Sequence, residues 1–416
     1  MKESYYPRMT NEIESKLIGY IKKFSFPRLA GTSGEKKAVN LTIETFKELG
    51  FTEEQILRQH FKFSTFYSEE LMKIIGFMNI VIVLILMLMK YLYPFFVAIT
   101  IGIIVIVFFS MLKVLRHPEY KGFWEKNFGS FIAATNIFTE IPSKYNTKNA
   151  PNLIISAHLD SKSQTFKTIW RVIFISVWEI GIMIFIVFIT FFLMDLYLHI
   201  FTSIMLFFEI GTIITSILTI FSIIMVFVIK TGNLSSGSLD NASGMSLVFE
   251  LCSYFKANPL NNYNIWFCQF SAEEIGTMGS RVFLDAFKED LLKNQLYQVN
   301  FDMVSCKDAE DRVEYIKSYG IIPKKTSSSH LISILDKINK EATIKIKGHT
   351  FLSGAHTDSL PFHLLKLDTI DFSTPSASKY SHTKEDQPDK VNPHVLLETY
   401  LVVKSLVLEV DSIYKQ

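Results

Sequence analysis

Asn152-Leu153-Ile154-Ile155-Ser156-Ala157-His158-Leu159-Asp160-Ser161 decides the fold. Its first seven residues are a short apolar run bounded by polar groups, which reads as a buried strand. The run ends in His-x-Asp, and residues i and i+2 of an extended chain point to one face. Asp160 is therefore placed to accept the second ring N–H of His158 and fix its tautomer for a metal. Downstream, residues 242–258 read as a helix, Asn264–Phe270 as a buried strand, 279–291 as a helix and 298–303 as a strand. Upstream, 11–24 and 34–49 carry helical spacing, Gly50 giving the stop signal, and 56–67 and 135–141 carry partial alternation with β-favouring residues. Strand and helix alternate, so the expected class is α/β, a mixed and mostly parallel sheet between helices. The three strands 56–67, 135–141 and 152–158 are expected to form an antiparallel meander.

Two insertions interrupt this pattern. Of the 416 residues 49% are hydrophobic and 20% charged, and the excess sits in four apolar blocks. Residues 74–89 and 91–112 flank Lys90, and 172–194 and 196–229 flank Asp195. Each block approaches the ~20 residues that span a bilayer, so the pairs read as two transmembrane hairpins. Hairpins return the chain to its starting side. Residues 1–70, 116–168 and 231–416 are thus expected to build one soluble domain, with hairpins at 71–115 and 169–230. Lys73, Lys113, Arg116, Lys121, Lys162, Lys167, Arg171 and Lys230 lie at the soluble ends, against Lys90 alone among the opposite turns, and this bias puts the soluble domain in the cytoplasm. The charged start of the chain shows no apolar core of a secretory signal. A net charge of +2 argues against a nucleic-acid partner, and three cysteines without a CxxC pair argue against a thiolate zinc site.

Polar residues cluster where an α/β sheet places its ligand site, at strand ends. After His158 and Asp160 comes Gly237-Ser238-Leu239-Asp240-Asn241-Ala242, opening a helix. Phe270-Ser271-Ala272-Glu273-Glu274 sets two carboxylates directly after a buried strand, one free to bind metal and the other to act as base. Asn300-Phe301-Asp302 puts an acid at an apolar strand end, and Tyr380-Ser381-His382 supplies a late histidine. An acid buried there without a cation would be costly. Two histidines and at least three carboxylates on successive loops are the donor set of a two-metal hydrolase.

In order and wording, HLDS, SLDNASG, SAEEIG, NFDMVS and YSHTKEDQPD resemble the motifs of the co-catalytic zinc aminopeptidases, a metallopeptidase family that includes glutaminyl cyclases. The resemblance runs over about residues 11–408, apart from the hairpins. It implies two zinc or other divalent ions, with Asp240 bridging, His158 and Asp302 completing one site and Glu274 and His382 the other. It further implies that Asp160 orients His158, and that Glu273 takes a proton from a metal-bridging water and passes it to the leaving amine. Gly354-Ala355-His356-Thr357-Asp358-Ser359-Leu360-Pro361-Phe362 departs from the family, which carries an Asp-His pair before Pro-Phe; Asp358 matches, and Ser359 replaces the histidine. His356, Asp358 and Tyr380 are the candidate substrate pocket. The expected function is a multi-pass, membrane-anchored aminopeptidase acting on peptides, hydrophobic ones delivered along the bilayer in particular. A glutaminyl cyclotransferase and a non-catalytic scaffold of the same fold are the alternatives. Within the spans, Glu179 and Glu209 are the polar candidates: placed at similar distances from a turn at Asp195, they are expected to face each other or a polar cavity.

Overall fold

The computed structural model describes residues 5–88, 92, 94–119, 122–145, 150–320, 325–341, 344–351 and 357–414. In chain order the helices are α1 Tyr5–Phe24, α2 Ser33–Glu48, α3 Leu71–Met87, α4 Pro94–Arg116, α5 Phe123–Phe128, α6 Thr168–Leu198, α7 Met205–Phe227, α8 Ser243–Ala257, α9 Met278–Leu291, α10 Ser329–Glu341, α11 Leu360–Leu364 and α12 Pro393–Ser412. The strands are β1 Leu57–Ser64, β2 Phe131–Ile141, β3 Asn152–His158, β4 Ser163–Gln164, β5 Thr231–Gly232, β6 Asn264–Phe270, β7 Leu296–Phe301, β8 Val313–Tyr319, β9 Lys325–Thr326, β10 Ile346–Phe351 and β11 Asp368–Phe372. They fall into two compact units: Met1–Phe63 with Ile132–Lys167 and Thr231–Gln416, and Ser64–Phe131 with Thr168–Lys230.

In the first unit the strand order is β1-β2-β6-β3-β7-β11-β8-β10, with β9 beside β8. Strand β3 is buried at all seven positions and runs parallel to both β6 and β7. Such strands need apolar side chains on both faces, which is why they read as continuous runs. Ile155, Phe267 and Val299 face α8, α1 and α12 in the larger core; Ile154, Trp266 and Phe270 face α9 through Phe283 on the other side. The expected mixed, mostly parallel sheet between helices is therefore present, but the meander is not. Strand β6 lies between β2 and β3, antiparallel to β2 over Ile137–Ile141. Burial explains the order: the strands buried on both faces take the centre, while β1, exposed at Leu57 and Arg58, goes to the edge.

Helix α2 is tied to the sheet by a buried acid. Glu35 Oε1 accepts from Thr135 N–H at 3.1 Å and Ser271 Oγ at 3.0 Å. Burial pushes its carboxyl from the ordinary 4.5 up to about 7. Between those two values the folded chain binds more protons than the unfolded one, so stability falls as pH rises through about 4.5 to 7 and is level above. Glu35→Gln keeps an acceptor for both bonds. It is expected to flatten that slope and gain up to roughly 3 kcal/mol at pH 8, read from chemical denaturation at pH 5 and pH 8. An unchanged slope would assign the dependence to other groups.

The second unit gathers the apolar helices. Among the described residues three helices are long and apolar enough to cross a membrane, Phe66–Met87, Thr168–Asp195 and Thr202–Phe227, while the apolar part of α4, Phe95–Met111, is shorter. Residues flanking the first pair join this unit rather than the sheet: Phe66 stacks on Trp124 at 6.0 Å and packs with Leu71, Met111 and Val114. Helices α6 and α7 pack side by side, with Phe191 stacked on Phe208 at 5.0 Å. A buried stripe of Thr212, Thr215, Ser216, Thr219 and Ser222 runs along α7. The first three return their hydroxyls to carbonyls one turn back in their own helix, which satisfies them in an apolar setting.

Asp195 does not mark the turn. It lies in the last turns of α6, buried, and its carboxylate accepts from Phe201 N–H at 2.6 Å, so the chain reverses over residues 199–204. That shift alters the register expected for the intramembrane acids. Thr219 lies against Gly181 and Phe208 against Phe191, which puts Glu179 and Glu209 on levels about 11 residues, or ~16 Å, apart along the helix pair. They do not face each other.

Candidate metal centre

Four parallel strands, β6, β3, β7 and β11, deliver the charged groups at their C-terminal ends. His158 is the last residue of β3, Asp302 follows β7, Glu273 and Glu274 follow β6, and His382 lies in the loop after β11. Asp240 sits in the turn that opens α8, its peptide bond to Asn241 cis. His158 Nε2 stands 3.2 Å from Asp240 Oδ1 and 3.6 Å from Asp302 Oδ1. His382 Nε2 stands 3.2 Å from Asp240 Oδ2 and 3.0 Å from Glu274 Oε2. In each of the groups His158/Asp240/Asp302 and Asp240/Glu274/His382, one donor atom per residue lies within 4.8 Å of the others, and every residue is buried. Ligands about 2 Å from one ion stand roughly 3–4 Å apart, so both groups fit a divalent cation with mixed N and O donors. His158 Nε2 is buried and makes no hydrogen bond among the described residues, which fits a nitrogen reserved for a metal. Glu273 belongs to neither group; its Oε2 is 3.9 Å from His158 Nε2.

Asp160 does more than the spacing predicts. Its main-chain oxygen, not its carboxylate, is the close partner of His158 Nδ1, at 3.1 Å against 3.6 Å. The carboxylate instead accepts from the adjacent N–H groups of Glu273 and Glu274, at 3.1 and 3.3 Å. One residue thereby contacts the histidine and the turn that carries both acids. Ala272, Met303 and His382, each within or beside these loops, adopt left-handed backbone angles of 61°, 56° and 62°. Such strain in non-glycine residues persists where the surroundings enforce it, commonly at functional sites.

Two further residues hold the loops: Arg28, which no motif announces, and Asp386, which lies within the YSHTKEDQPD stretch without a role assigned to it. Arg28 is fully buried, and its guanidinium donates to five main-chain carbonyls among the described residues, those of Leu159, Phe24, Phe26, Ser236 and Gly237, at 2.6 to 3.2 Å. It stitches the His158 loop to the Asp240 loop. Gly237, at φ 62°, packs so closely on Ser161 and Arg28 that a Cβ would collide with both. Asp386 accepts from Leu239 and Asp240 N–H at 2.6 and 3.2 Å, fastening the Asp240 turn to the His382 loop. Asn241 is buried with its amide donating to Phe301 O at 2.8 Å, which ties the Asp240 turn to the end of β7.

The electrostatics separate the acids. Burial and the carboxylates of Asp302, Glu274 and Asp358 push Glu273 well above the usual carboxylate range. Burial also raises Asp302, to about 6. It opposes ionisation of Glu274 as well, yet His382 and Lys162 bring that group down to about 2, and His158 and His382 hold Asp240 far below the ordinary range. Adjacent carboxyls driven in opposite directions are the pattern of divided acid–base and binding roles.

The residues expected to form a substrate pocket divide. Asp358 is buried within electrostatic reach of His158, Asp160 and Asp302, and burial lifts it to about 7. Tyr380 turns its hydroxyl to Asp308 at 2.7 Å. His356 lies outside the described residues.

Comparisons with known proteins find similar sequence over part of the chain and a similar fold over most of it. Residues 224–407 match the model of peptidase family M28, a span that contains Asp240, Glu273, Glu274, Asp302 and His382. Aminopeptidase YwaD of Bacillus subtilis (strain 168) is 26% identical over 180 residues, 42% of this chain and 38% of that protein, so the match covers less than half of the relative's length. The fold is similar to that of an aminopeptidase from Aneurinibacillus sp. strain AM-1, with a TM-score of 0.56 and 14% identity over 95% of this chain and 93% of that one. A glutaminyl cyclase from an Acidobacteriales bacterium gives 0.51 and 14%, over 97% and 94%.

Proposed function

We propose, for a chain that belongs to the co-catalytic zinc aminopeptidase family, a membrane-anchored exopeptidase that removes N-terminal residues from peptides. The carrying observation is the sharing of Asp240 between two buried donor groups, with Glu273 beside them and outside both. Two zinc or other divalent ions held by His158, Asp240, Asp302, Glu274 and His382 would supply Lewis acidity and a nucleophilic water near neutral pH. Glu273 takes the proton of the attacking water and returns it to the leaving amine. Asp160 keeps His158 in one tautomer and holds the Glu273 turn still while that proton moves. Asp358 is buried within electrostatic reach of Glu273 and adds to the forces that raise its carboxyl.

In this reading the apolar helices anchor the enzyme, with α4 as a fourth span beside the other three, and the excess of Lys and Arg at the soluble ends supports a cytoplasmic catalytic part. Hydrophobic peptides delivered along the bilayer are the favoured substrates in this reading. The test is metal analysis of the detergent-purified full chain, with hydrolysis of aminoacyl and peptide substrates of graded hydrophobicity. Two ions per chain and stepwise release of N-terminal residues are expected. Ammonia release from N-terminal Gln without hydrolysis would make it a cyclase, and bound metal without turnover on any substrate would make it a scaffold.

A further inference from the structure

The two donor groups are not electrostatically equivalent. Lys162 Nζ lies 2.8 Å from Glu274 Oε2 and 3.0 Å from Glu274 O, and the Lys162 N–H donates to Glu274 Oε1 at 3.3 Å. The Lys162 side chain is only 12% exposed, so water screens this charge weakly. Oε2 is also the oxygen that meets His382 Nε2, the atom through which Glu274 would join the second metal group. Among the described residues, no Lys or Arg forms an ion pair with Asp302, the matching carboxylate of the first group. Segment 162–164 also reaches the other residue peculiar to the second group, since Gln164 N–H donates to His382 O at 3.0 Å. This segment is the root from which the chain leaves the sheet for α6 and to which it returns from α7 through the β4–β5 pair.

We propose that Lys162 sets the metal sites apart: its ammonium, seated on the oxygen that would bind the second ion, makes the Glu274/His382 site the weak, exchangeable one, while the His158/Asp302 site holds its ion tightly. The inference rests on the two-metal reading above. With both histidines neutral, the first site draws on Asp302 and a share of Asp240. The second draws on Glu274 and the same share, against one positive charge in contact with its own carboxylate. A divalent ion and an ammonium on one carboxylate oxygen repel at short range, and the Coulomb cost is large where water is excluded. At limiting metal the chain therefore carries one ion, and the second loads only as its concentration rises. A residue before the first apolar helix of the second insertion thus governs how much of the enzyme is fully loaded.

The test is titration of the chelator-stripped, detergent-solubilised full chain with Co2+ and with Zn2+ against a competing chelator, the cobalt absorption bands reporting the order of filling. The wild type is expected to show two classes of site at least about tenfold apart, with Glu274→Gln abolishing the weak class and Asp302→Asn the tight one. Lys162→Met removes the charge while keeping the main-chain bond to Oε1. It should tighten the weak class about 10–100-fold and leave the tight class in place, the range by which partners of metal ligands shift affinity. Equal classes in the wild type overturn the proposal even if Lys162→Met fails to fold. So does loss of the tight class in Glu274→Gln, or a weak class that Lys162→Met leaves unchanged or weakens. A wild type that binds no ion overturns the two-metal reading itself, and the inference with it.

Discussion

Replacing Glu273 by Gln is expected to lower turnover of an aminoacyl substrate by about 10²–10⁴-fold while leaving the bound metal and the fold unchanged. The separation follows from where the side chain lies. Glu273 is outside both donor groups, so neither loses a ligand. Its main-chain N–H, which holds the turn on Asp160, survives the substitution. A buried amide of the same shape replaces a carboxyl whose ionisation burial and three neighbouring acids oppose, so the substitution leaves the packing around it in place. What is lost is the ability to accept a proton and give it back. The measurement is kcat on purified wild type and variant with metal content read on the same preparations. Loss of turnover together with loss of metal would make Glu273 a ligand. Full turnover with full metal would remove it from the chemistry.

How far this centre could be read from the chain depends on what each residue acts upon. His158, Glu273, Glu274 and Asp302 all follow apolar strands closely, and a polar group at the end of a buried run stands out against its surroundings. The strands themselves were legible for the same reason: β3 and β6 begin and end where their apolar runs do. Strand order was not, because β6 enters between β2 and β3 for burial on both faces, a demand of the assembled sheet and not of any segment. Arg28 was invisible on different grounds, and Asp386, though inside the YSHTKEDQPD stretch, showed nothing of its role. They bond main-chain carbonyls and amides of distant loops, and main-chain partners leave no pattern in the side chains. Asp195 misled in the opposite direction: a charged residue amid apolar ones reads as a turn, whereas its carboxylate is consumed by the Phe201 amide inside the structure. A polar residue is thus informative about position only when its partner is known to be a side chain or a ligand.

Asp240→Ala is expected to be the most damaging change to metal binding, because Asp240 is the one residue common to both donor groups. Its two oxygens face different histidines, Oδ1 toward His158 and Oδ2 toward His382, each at 3.2 Å. Without it, His158 and Asp302 keep two donors on one side and Glu274 and His382 two on the other, below the three protein ligands that catalytic zinc sites use. Occupancy should fall from two ions to fewer than one under conditions that load the wild type. A stability consequence follows, since an ion that binds only the folded chain stabilises it by mass action, about 4 kcal/mol at a thousandfold excess over Kd. Chelator should therefore lower the melting temperature of the wild type markedly and leave that of Asp240→Ala almost where it already stands. The local fold has other supports, because Asp386 bonds the main-chain N–H of residue 240 and Arg28 the carbonyls before it, and neither depends on the side chain removed. Metal content by mass spectrometry and melting curves with and without chelator decide the matter. Two ions retained in Asp240→Ala would show that the groups bind independently and that Asp240 bridges nothing.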